Sequence, residues 1–257
     1  MTAELTAFSV LSGVSIFLLL ASLPGHLAAK NHAVLPFACW SLVGCCVYFI
    51  NSLLWQKNAR NFAPVWCDIS SKLLVSLETG LSSSTLCISH QLFDIMTKPS
   101  LFQGAREFRG GITYCVGLGI CAPCMVMVIH FAIQGHRFDI LEGIGCEPSA
   151  PANRLMTSLL IIWPPVTGIV SIVYTVLSAK AFFIRRRIIP SHQILRLPAG
   201  NSARFVRLVS FVIIQTLILI ISTLSLVYAN FKHRWDTSMS QSELSTVRAF
   251  LSRGSWV

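Results

Sequence analysis

Charged residues are scarce in this sequence. Only 12% of its 257 residues are Asp, Glu, Lys or Arg, whereas 54% are hydrophobic. Since a soluble domain carries roughly 25% charged residues, a soluble fold of this size would not have enough charge to cover its surface. The composition therefore excludes most soluble enzymes and binding modules and favours a multi-pass membrane protein.

Acidic residues are scarcer than basic ones. The chain has 10 Asp and Glu against 20 Lys and Arg, which gives a formal net charge of +10. In a membrane protein, such an excess usually marks cytoplasmic loops rather than a surface for nucleic acid. We therefore predict no nucleic-acid partner.

Motifs for catalysis and metal binding are also absent from the sequence. It contains no GxSxG, no P-loop and no HExxH, and its seven histidines are scattered. The pair Cys121-x-x-Cys124 has no second pair and no nearby carboxylate, so we interpret these cysteines as packing residues. We predict a protein that is not an enzyme and that has no cofactor and no metal site.

Long apolar runs, in contrast, are abundant. A helix needs about 20 apolar residues to cross a bilayer, and the segments that meet this requirement are residues 5–29, 31–56, 73–93, 110–136, 155–179 and 208–231. Because backbone polar groups in lipid must bond within their own segment, these spans are helices. We predict an all-α, polytopic transmembrane bundle over residues 1–231 with six spans, followed by a polar C-terminal segment, 232–257.

The basic residues predict the orientation of this bundle. With the N-terminus outside the cell, most Lys and Arg between the spans lie in inner loops, as the positive-inside rule requires. The third inner loop is the most basic. The N-terminus shows no removable signal peptide, so we expect the first span to act as its own insertion signal.

Two cysteines are expected on the outer side, where the compartment is oxidising. Cys67 lies at the head of the third span and Cys146 lies in the second outer loop. A disulfide between them would hold that loop over the bundle. The alternative is two free thiols.

Polar and aromatic residues near the outer ends of the spans suggest a binding site. Asp68 and Lys72 have the i, i+4 spacing of a helix pair, which contributes only about 0.3–0.5 kcal/mol. Trp55, Trp66 and Trp163 are interpreted as anchors at the membrane interface or as walls of an apolar ligand site.

Glu78 is the one acidic residue inside a span. Carboxylates in a membrane are costly and usually face a partner or a wet cavity, which favours a ligand or network role. The alternative is a protonated or water-bonded carboxyl near Thr79, Ser82 and Ser83. Glu78 also leaves room for a small membrane transporter, but the sequence lacks the inverted repeats typical of transporters.

Several segments together resemble one known family. Residues 50–73 read INSLLWQKNARNFAPVWCDISSKL, residues 84–88 read STLCI, residues 133–148 read IQGHRFDILEGIGCEP, and residues 203–208 read ARFVRL. These segments resemble the fungal mating-pheromone receptors of the a-factor-receptor type, which are class D G-protein-coupled receptors. The resemblance covers nearly the whole chain.

This resemblance implies a plasma-membrane receptor with an extracellular N-terminus and a cytoplasmic face for a heterotrimeric G protein. The implied ligand is a short peptide pheromone with a farnesylated C-terminal cysteine, which can reach the receptor from the membrane. The other expected partners are membrane lipids and, in a receptor dimer, a second receptor chain.

The resemblance also implies roles for individual residues. Those expected to line or brace the outer mouth are Trp55, Trp66, Asp68, Lys72, Arg137, Phe138 and Glu142. We add Glu78 and Trp163 to the candidate ligand-binding residues. Those expected to border the G-protein side are Arg185, Arg186, Arg187, Arg204 and Arg207.

The family has seven spans, whereas this sequence shows six. Truncation, an alternative transcript, a degenerate paralogue or a misread exon boundary would each remove the seventh. The alternative function is therefore a truncated, non-signalling receptor paralogue that binds ligand or dimerises with full-length receptors.

Overall fold

The computed structural model describes residues 2–28, 32–97, 105–134, 136–149, 161–188, 205–225 and 227–228. The elements in chain order are α1 (Thr2–Ala28), α2 (Val34–Leu54), α3 (Pro64–Thr97), α4 (Ala105–Ile133), β1 (Asp139–Leu141), β2 (Gly145–Glu147), α5 (Trp163–Ile188) and α6 (Phe205–Ser225). The chain divides into two units, Met1–Leu219 and Ile220–Val257, and the packing below is that of the first. The predicted C-terminal segment, 232–257, lies outside the described residues.

The architecture is an all-α bundle of membrane-spanning helices, which confirms the predicted fold class. Among the described residues, five helices (α1, α2, α4, α5 and α6) are long and apolar enough to cross a membrane. The third predicted span, 73–93, lies within α3, which has 34 residues but a Ser-rich sequence. The protein is therefore a multi-pass membrane protein.

Two helices extend nine residues beyond the predicted spans. Helix α3 begins at Pro64, nine residues before the predicted start, because proline is favoured in the first turn of a helix. Helix α5 continues to Ile188, nine residues past its predicted end. The α3 extension brings Asp68 and Lys72 onto the helix itself.

Helix α3 packs against α2, α4 and α5. Many of its buried side chains are serine and threonine, and their hydroxyl groups donate to carbonyls one turn earlier in the same helix. Ser84 Oγ donates to the Gly80 carbonyl at 2.6 Å and Ser89 Oγ to the Thr85 carbonyl at 2.9 Å. Such bonds satisfy polar groups inside the helix, and small side chains let neighbouring helices approach closely. This explains how a helix of modest apolarity lies inside the bundle.

Three helices meet at one tryptophan. The indole of Trp40, on α2, lies against Gly80 of α3. Its Nε1 donates a hydrogen bond to the Gly119 carbonyl of α4 at 2.8 Å. Trp40 therefore joins α2 to α4 across the surface of α3.

We name the two ends of the bundle by their residues. The cap end contains the end of α2, the start of α3 and the β1–β2 hairpin. At the basic end, α5 ends and α6 begins, with Arg187 and Arg207 exposed. There, Leu92, Met96, Phe182 and Phe205 form an apolar cluster, in which the two phenylalanine rings stack at 4.2 Å.

Candidate functional site

A disulfide ties the hairpin to the bundle at the cap end. It joins Cys67, in the first turn of α3, to Cys146 of β2, across 79 residues of sequence. The strands are antiparallel, with Ile140 of β1 opposite Cys146. Both cysteines are fully buried. The loop after α4 is thus held over the ends of α2 and α3, in the arrangement that the cysteine positions suggested.

The turn of the hairpin depends on two glycines. Gly143 and Gly145 have φ angles of 82° and 92°, in the left-handed region that favours glycine. A Cβ at Gly145 would lie 2.6 Å from the Cβ of Asn51. The Gly143 N–H donates to the Trp55 carbonyl at 2.7 Å, so the turn rests directly on the end of α2.

Asn51 is the polar centre of the cap. Its Nδ2 donates to the Cys146 carbonyl at 3.3 Å, and its Oδ1 accepts from Trp66 Nε1 at 2.8 Å. The side chain is completely buried, so both bonds offset the cost of removing the amide from water. One residue of α2 thereby links α3 and β2.

Three of the residues that were expected to line or brace the outer mouth lie inside the cap. Trp55, Trp66 and Phe138 pack around the disulfide. Trp55 is fully buried, stacks on Phe62 at 4.9 Å and donates from Nε1 to the Arg60 carbonyl at 3.0 Å. These aromatic residues pack inside the cap and do not line the cavity described below.

The acidic residues of the hairpin lie in two environments. Glu142 is exposed at the turn, whereas Glu147, at the end of β2, is partly buried. Burial raises the pKa of the Glu147 carboxyl, because the charged form is poorly solvated there.

A groove lies between α3 and α4 at the cap end, with a volume of about 480 Å³. Its lining residues are Asp68, Ile69, Lys72, Leu73, Met127, Phe131, Gln134 and Arg137. The floor is apolar and the rim is polar. The groove brings together Asp68, Lys72 and Arg137, which the sequence analysis had assigned to a ligand site.

The polar rim consists of two links between α3 and the end of α4. Arg137 forms two hydrogen bonds with the Asp68 carboxylate, one of them from Nε to Oδ1 at 3.1 Å. Lys72 Nζ bonds to Gln134 Oε1 and lies 2.9 Å from His130 Nδ1. The predicted i, i+4 pair between Asp68 and Lys72 is therefore wrong, because each residue bonds across the groove instead.

The Lys72 contact defines the state of His130. A lysine ammonium can only donate, so His130 Nδ1 accepts and carries no proton. The other nitrogen, Nε2, lies 3.3 Å from the Ser149 carbonyl, to which its N–H donates. His130 is thus a neutral, buried imidazole that connects the groove to the segment after the hairpin.

Exchanging the charges of the Asp68–Arg137 pair tests this link between α3 and the end of α4. We expect Asp68→Arg to lower the melting temperature slightly, because two guanidinium groups would then face each other. Since the Arg137 side chain is 72% exposed, the effect should correspond to about 1 kcal/mol or less. The measurement is thermal unfolding of purified protein at low and high salt. Adding Arg137→Asp should restore stability, and failure of this rescue at low salt would argue against the pair.

The other predicted ligand residues lie away from the groove. Glu78 is on α3, about 9 Å further along the helix than Lys72, and is partly buried. Trp163 begins α5, and its buried Nε1 has no acceptor in the part of the chain that the structure describes. Neither residue lines the groove.

The structure describes some of the residues that were predicted to lie on the G-protein side. Arg187, near the end of α5, and Arg207, in the first turn of α6, are exposed at the basic end. Arg185 and Arg186 belong to the last turns of α5. Arg204 lies outside the described residues.

Sequence reasoning missed the floor of the groove and part of its rim. The missed residues are Ile69, Leu73, Met127, His130, Phe131 and Gln134. A signal was present, because Ile69 and Leu73 are spaced i, i+4, as are Met127 and Phe131. Side chains at that spacing share one helix face. Nothing in the sequence showed that the two faces meet.

Residues 7–255 match the family described as STE3, pheromone A receptor. The chain is 32% identical over 176 residues to the pheromone B alpha 2 receptor of Schizophyllum commune, covering 68% of this chain and 26% of that receptor. It is 31% identical over 225 residues to the pheromone B beta 1 receptor of the same fungus, covering 87% of this chain and 41% of that receptor.

A more distant relative is the pheromone a factor receptor of Saccharomyces cerevisiae, which is 24% identical over 209 residues and is covered to 44% of its length. The chain thus spans between a quarter and a half of the length of these three relatives. The match over residues 7–255, together with the bundle of membrane-spanning helices, shows that this chain belongs to the STE3 family of fungal pheromone receptors.

Proposed function

We propose that this protein is a G-protein-coupled mating-pheromone receptor of the plasma membrane that binds a lipidated peptide pheromone at its cap end. The observation that carries the proposal is the groove between α3 and α4, where Asp68, Lys72 and Arg137 meet above an apolar floor. Relatives named as pheromone receptors support the same function.

The chemistry of the rim suits the end of a peptide. Lys72 and Arg137 supply hydrogen-bond donors and positive charge, and Asp68 partly balances that charge. Carbonyl, ester and carboxylate oxygens are the acceptors that such donors recognise. A ligand that offers an acceptor to Lys72 would compete with His130 and Gln134, and would thereby alter the link between α3 and α4.

The proposed route of signalling runs along α3. This helix has 34 residues and is therefore about 50 Å long, so it reaches from the groove to the basic end. There, Leu92 and Met96 of α3 pack against Phe182 and Phe205. A ligand that binds one arrangement of α3 and α4 better than another would shift the population of this packing.

The basic end is the proposed face for the G protein. Its exposed arginines, Arg187 and Arg207, offer positive charge to an acidic partner surface. The basic inner loops also support an extracellular N-terminus, since positive charge is retained on the cytoplasmic side.

A signalling assay tests the proposal. The full chain is expressed in fungal cells that lack their own pheromone receptors, and the cells are exposed to a panel of synthetic farnesylated peptides. We expect at least one peptide to activate the pheromone response. Surface expression without binding or response would contradict the receptor function. Binding without G-protein activation would instead favour a non-signalling receptor.

Removing the Lys72 ammonium tests whether the polar rim of the groove binds the ligand. We expect Lys72→Met to raise the peptide concentration for half-maximal response about tenfold or more, because a charged hydrogen bond contributes roughly 1.5–3 kcal/mol. The matched control is Lys57→Met, which removes an exposed lysine between α2 and α3. Equal dose–response curves for the two variants would remove Lys72 from the ligand site.

A further inference from the structure

We infer that the outer edge of strand β1 docks the peptide portion of the ligand, which binds there as an added antiparallel strand paired with the backbone of Ile140. The inference rests on the proposed function for the identity of the ligand. It adds the mode of peptide recognition and the backbone groups that perform it. This edge is continuous with the groove, because the rim residue Arg137 lies two residues before the start of β1 at Asp139.

Strand β1 is the outer strand of the hairpin. Within the described residues, β2 packs on α2 and α3, whereas β1 packs mainly on β2. Asp139 and Leu141 are exposed, and Ile140 between them is half-buried. The Ile140 side chain packs against the cluster around the disulfide. The edge of β1 opposite β2 therefore lies outside the packing of the hairpin on α2 and α3.

The direction of the Ile140 backbone groups follows from the Cys146 carbonyl. Ile140 lies directly opposite Cys146 in the antiparallel register. Residues opposite each other in such a pair exchange either both of their backbone hydrogen bonds or neither. The Cys146 carbonyl accepts from Asn51 Nδ2, on the side away from β1, so this pair exchanges neither. The Ile140 N–H and C=O therefore point to the outer edge of β1.

A backbone donor and acceptor on one edge match another extended backbone. One residue of an antiparallel ligand strand can accept from the Ile140 N–H and donate to the Ile140 C=O. An apolar chain can make neither bond, and a helix already uses most of its backbone groups within itself. The two bonds together account for about tenfold in affinity.

The edge is held in place before a ligand binds. An isolated two-stranded hairpin is only marginally stable in water. Here the disulfide fixes Cys146 to α3, and Asn51 bonds to the Cys146 carbonyl. The turn is bonded to α2, since the Gly143 N–H donates to the Trp55 carbonyl at 2.7 Å. A peptide that adds to β1 therefore orders only its own backbone, which favours binding.

The exposed side chains of β1 give the edge a sequence preference. They lie opposite the ligand residues on either side of the one bonded to Ile140. Leu141, 47% exposed, suits an apolar side chain. Asp139 Oδ1 lies 2.8 Å from His136 Nε2, and the carboxylate can accept further bonds from a basic side chain. We expect the ligand to have an apolar residue two positions before a basic one, and equal binding after that basic residue is changed to Glu would remove Asp139 from the site.

Hydrogen exchange at one amide tests the edge directly. The full chain, isotopically labelled at isoleucine and held in lipid nanodiscs, is mixed with the tightest-binding peptide of the farnesylated panel. We expect exchange of the Ile140 N–H to slow at least tenfold on binding, because that N–H becomes bonded. The matched control is Ile144 in the same hairpin, whose N–H already donates to the Leu141 carbonyl at 3.3 Å. Unchanged exchange at Ile140 with peptide bound, or equal slowing at both amides, would overturn the inference.

Backbone N-methylation of the peptide gives a second test that needs no variant of the protein. Methylation of the one amide that donates to the Ile140 C=O is expected to weaken binding about tenfold. Methylation of the two adjacent amides, which point to the other edge of the added strand, should have a smaller effect. Equal sensitivity at all positions, or none at any, would contradict strand addition.

The outcomes separate this inference from the proposed function. Slower exchange at Ile140 with a peptide that gives no pheromone response would retain the edge and overturn the signalling receptor. A pheromone response with no change at Ile140 would retain the receptor and overturn the edge. Protection of Ile140 in the peptide-free protein that increases with protein concentration would show a second copy on β1 and overturn the peptide as its occupant. A panel from which no peptide binds would overturn both.

Discussion

Replacing Cys67 or Cys146 with serine is expected to abolish ligand binding and to lower the free energy of unfolding by about 3–4 kcal/mol. The disulfide closes a loop of 79 residues, which restricts the unfolded chain. It also anchors β2, whose Cys146 carbonyl accepts from Asn51. Without this anchor, the segment that carries Arg137 would no longer be held beside α3. The measurements are unfolding of the purified protein and binding of an active farnesylated peptide.

The controls for this prediction use other cysteines of the same chain. The double variant Cys67→Ser, Cys146→Ser should match either single variant, because all three lack the same bond. Replacing Cys39, an exposed free cysteine, should change neither stability nor binding. Additive losses in the double variant, or full binding by a single variant, would contradict a structural disulfide at the cap.

Gly80→Ala is the second substitution with a large expected effect. A Cβ at Gly80 would lie 2.5 Å from the Trp40 ring, which is closer than atoms can pack. The ring is restrained, because its Nε1 donates to the Gly119 carbonyl. Overpacking of this kind costs about 1–3 kcal/mol. We expect the melting temperature of the purified protein to fall by several degrees.

Two further variants show whether the clash is the cause. Gly117→Ala makes the same change on α4, where no atom lies within 4 Å of the new Cβ, so stability should be retained. Combining Gly80→Ala with Trp40→Leu should remove much of the extra cost, since the smaller side chain relieves the contact. If Gly80→Ala and Gly117→Ala melt alike, the close approach of α2 and α3 at Gly80 is incorrect.

Properties that depend on local composition could be predicted from the sequence. The apolar runs predicted the helices, because hydrocarbon requires internal backbone bonding whatever the neighbouring helices do. The family motifs around Cys67 and within residues 133–148 lie in the segments that form the cap. The serine-rich run in α3 lies within the predicted third span, 73–93, and its hydroxyl groups are satisfied within the helix.

Pairings across helices could not be predicted. Asp68 and Lys72 have the spacing of a helix pair, but such a pair is weak. The guanidinium of Arg137, 69 residues away in sequence, instead forms two hydrogen bonds with the Asp68 carboxylate. Sequence also cannot distinguish a tryptophan that braces a cap from one that lines a site. Trp55 and Trp66 brace the cap, whereas the groove floor consists of ordinary apolar residues that carry no motif.

The central claim is that the receptor binds its lipidated pheromone at the groove between α3 and α4. The most direct test measures binding of one active farnesylated peptide to the purified full chain, to its Lys72→Met variant and to its Lys57→Met variant. The account predicts binding about tenfold or more weaker for Lys72→Met only, because a charged hydrogen bond contributes roughly 1.5–3 kcal/mol. Equal binding by all three proteins would contradict the account.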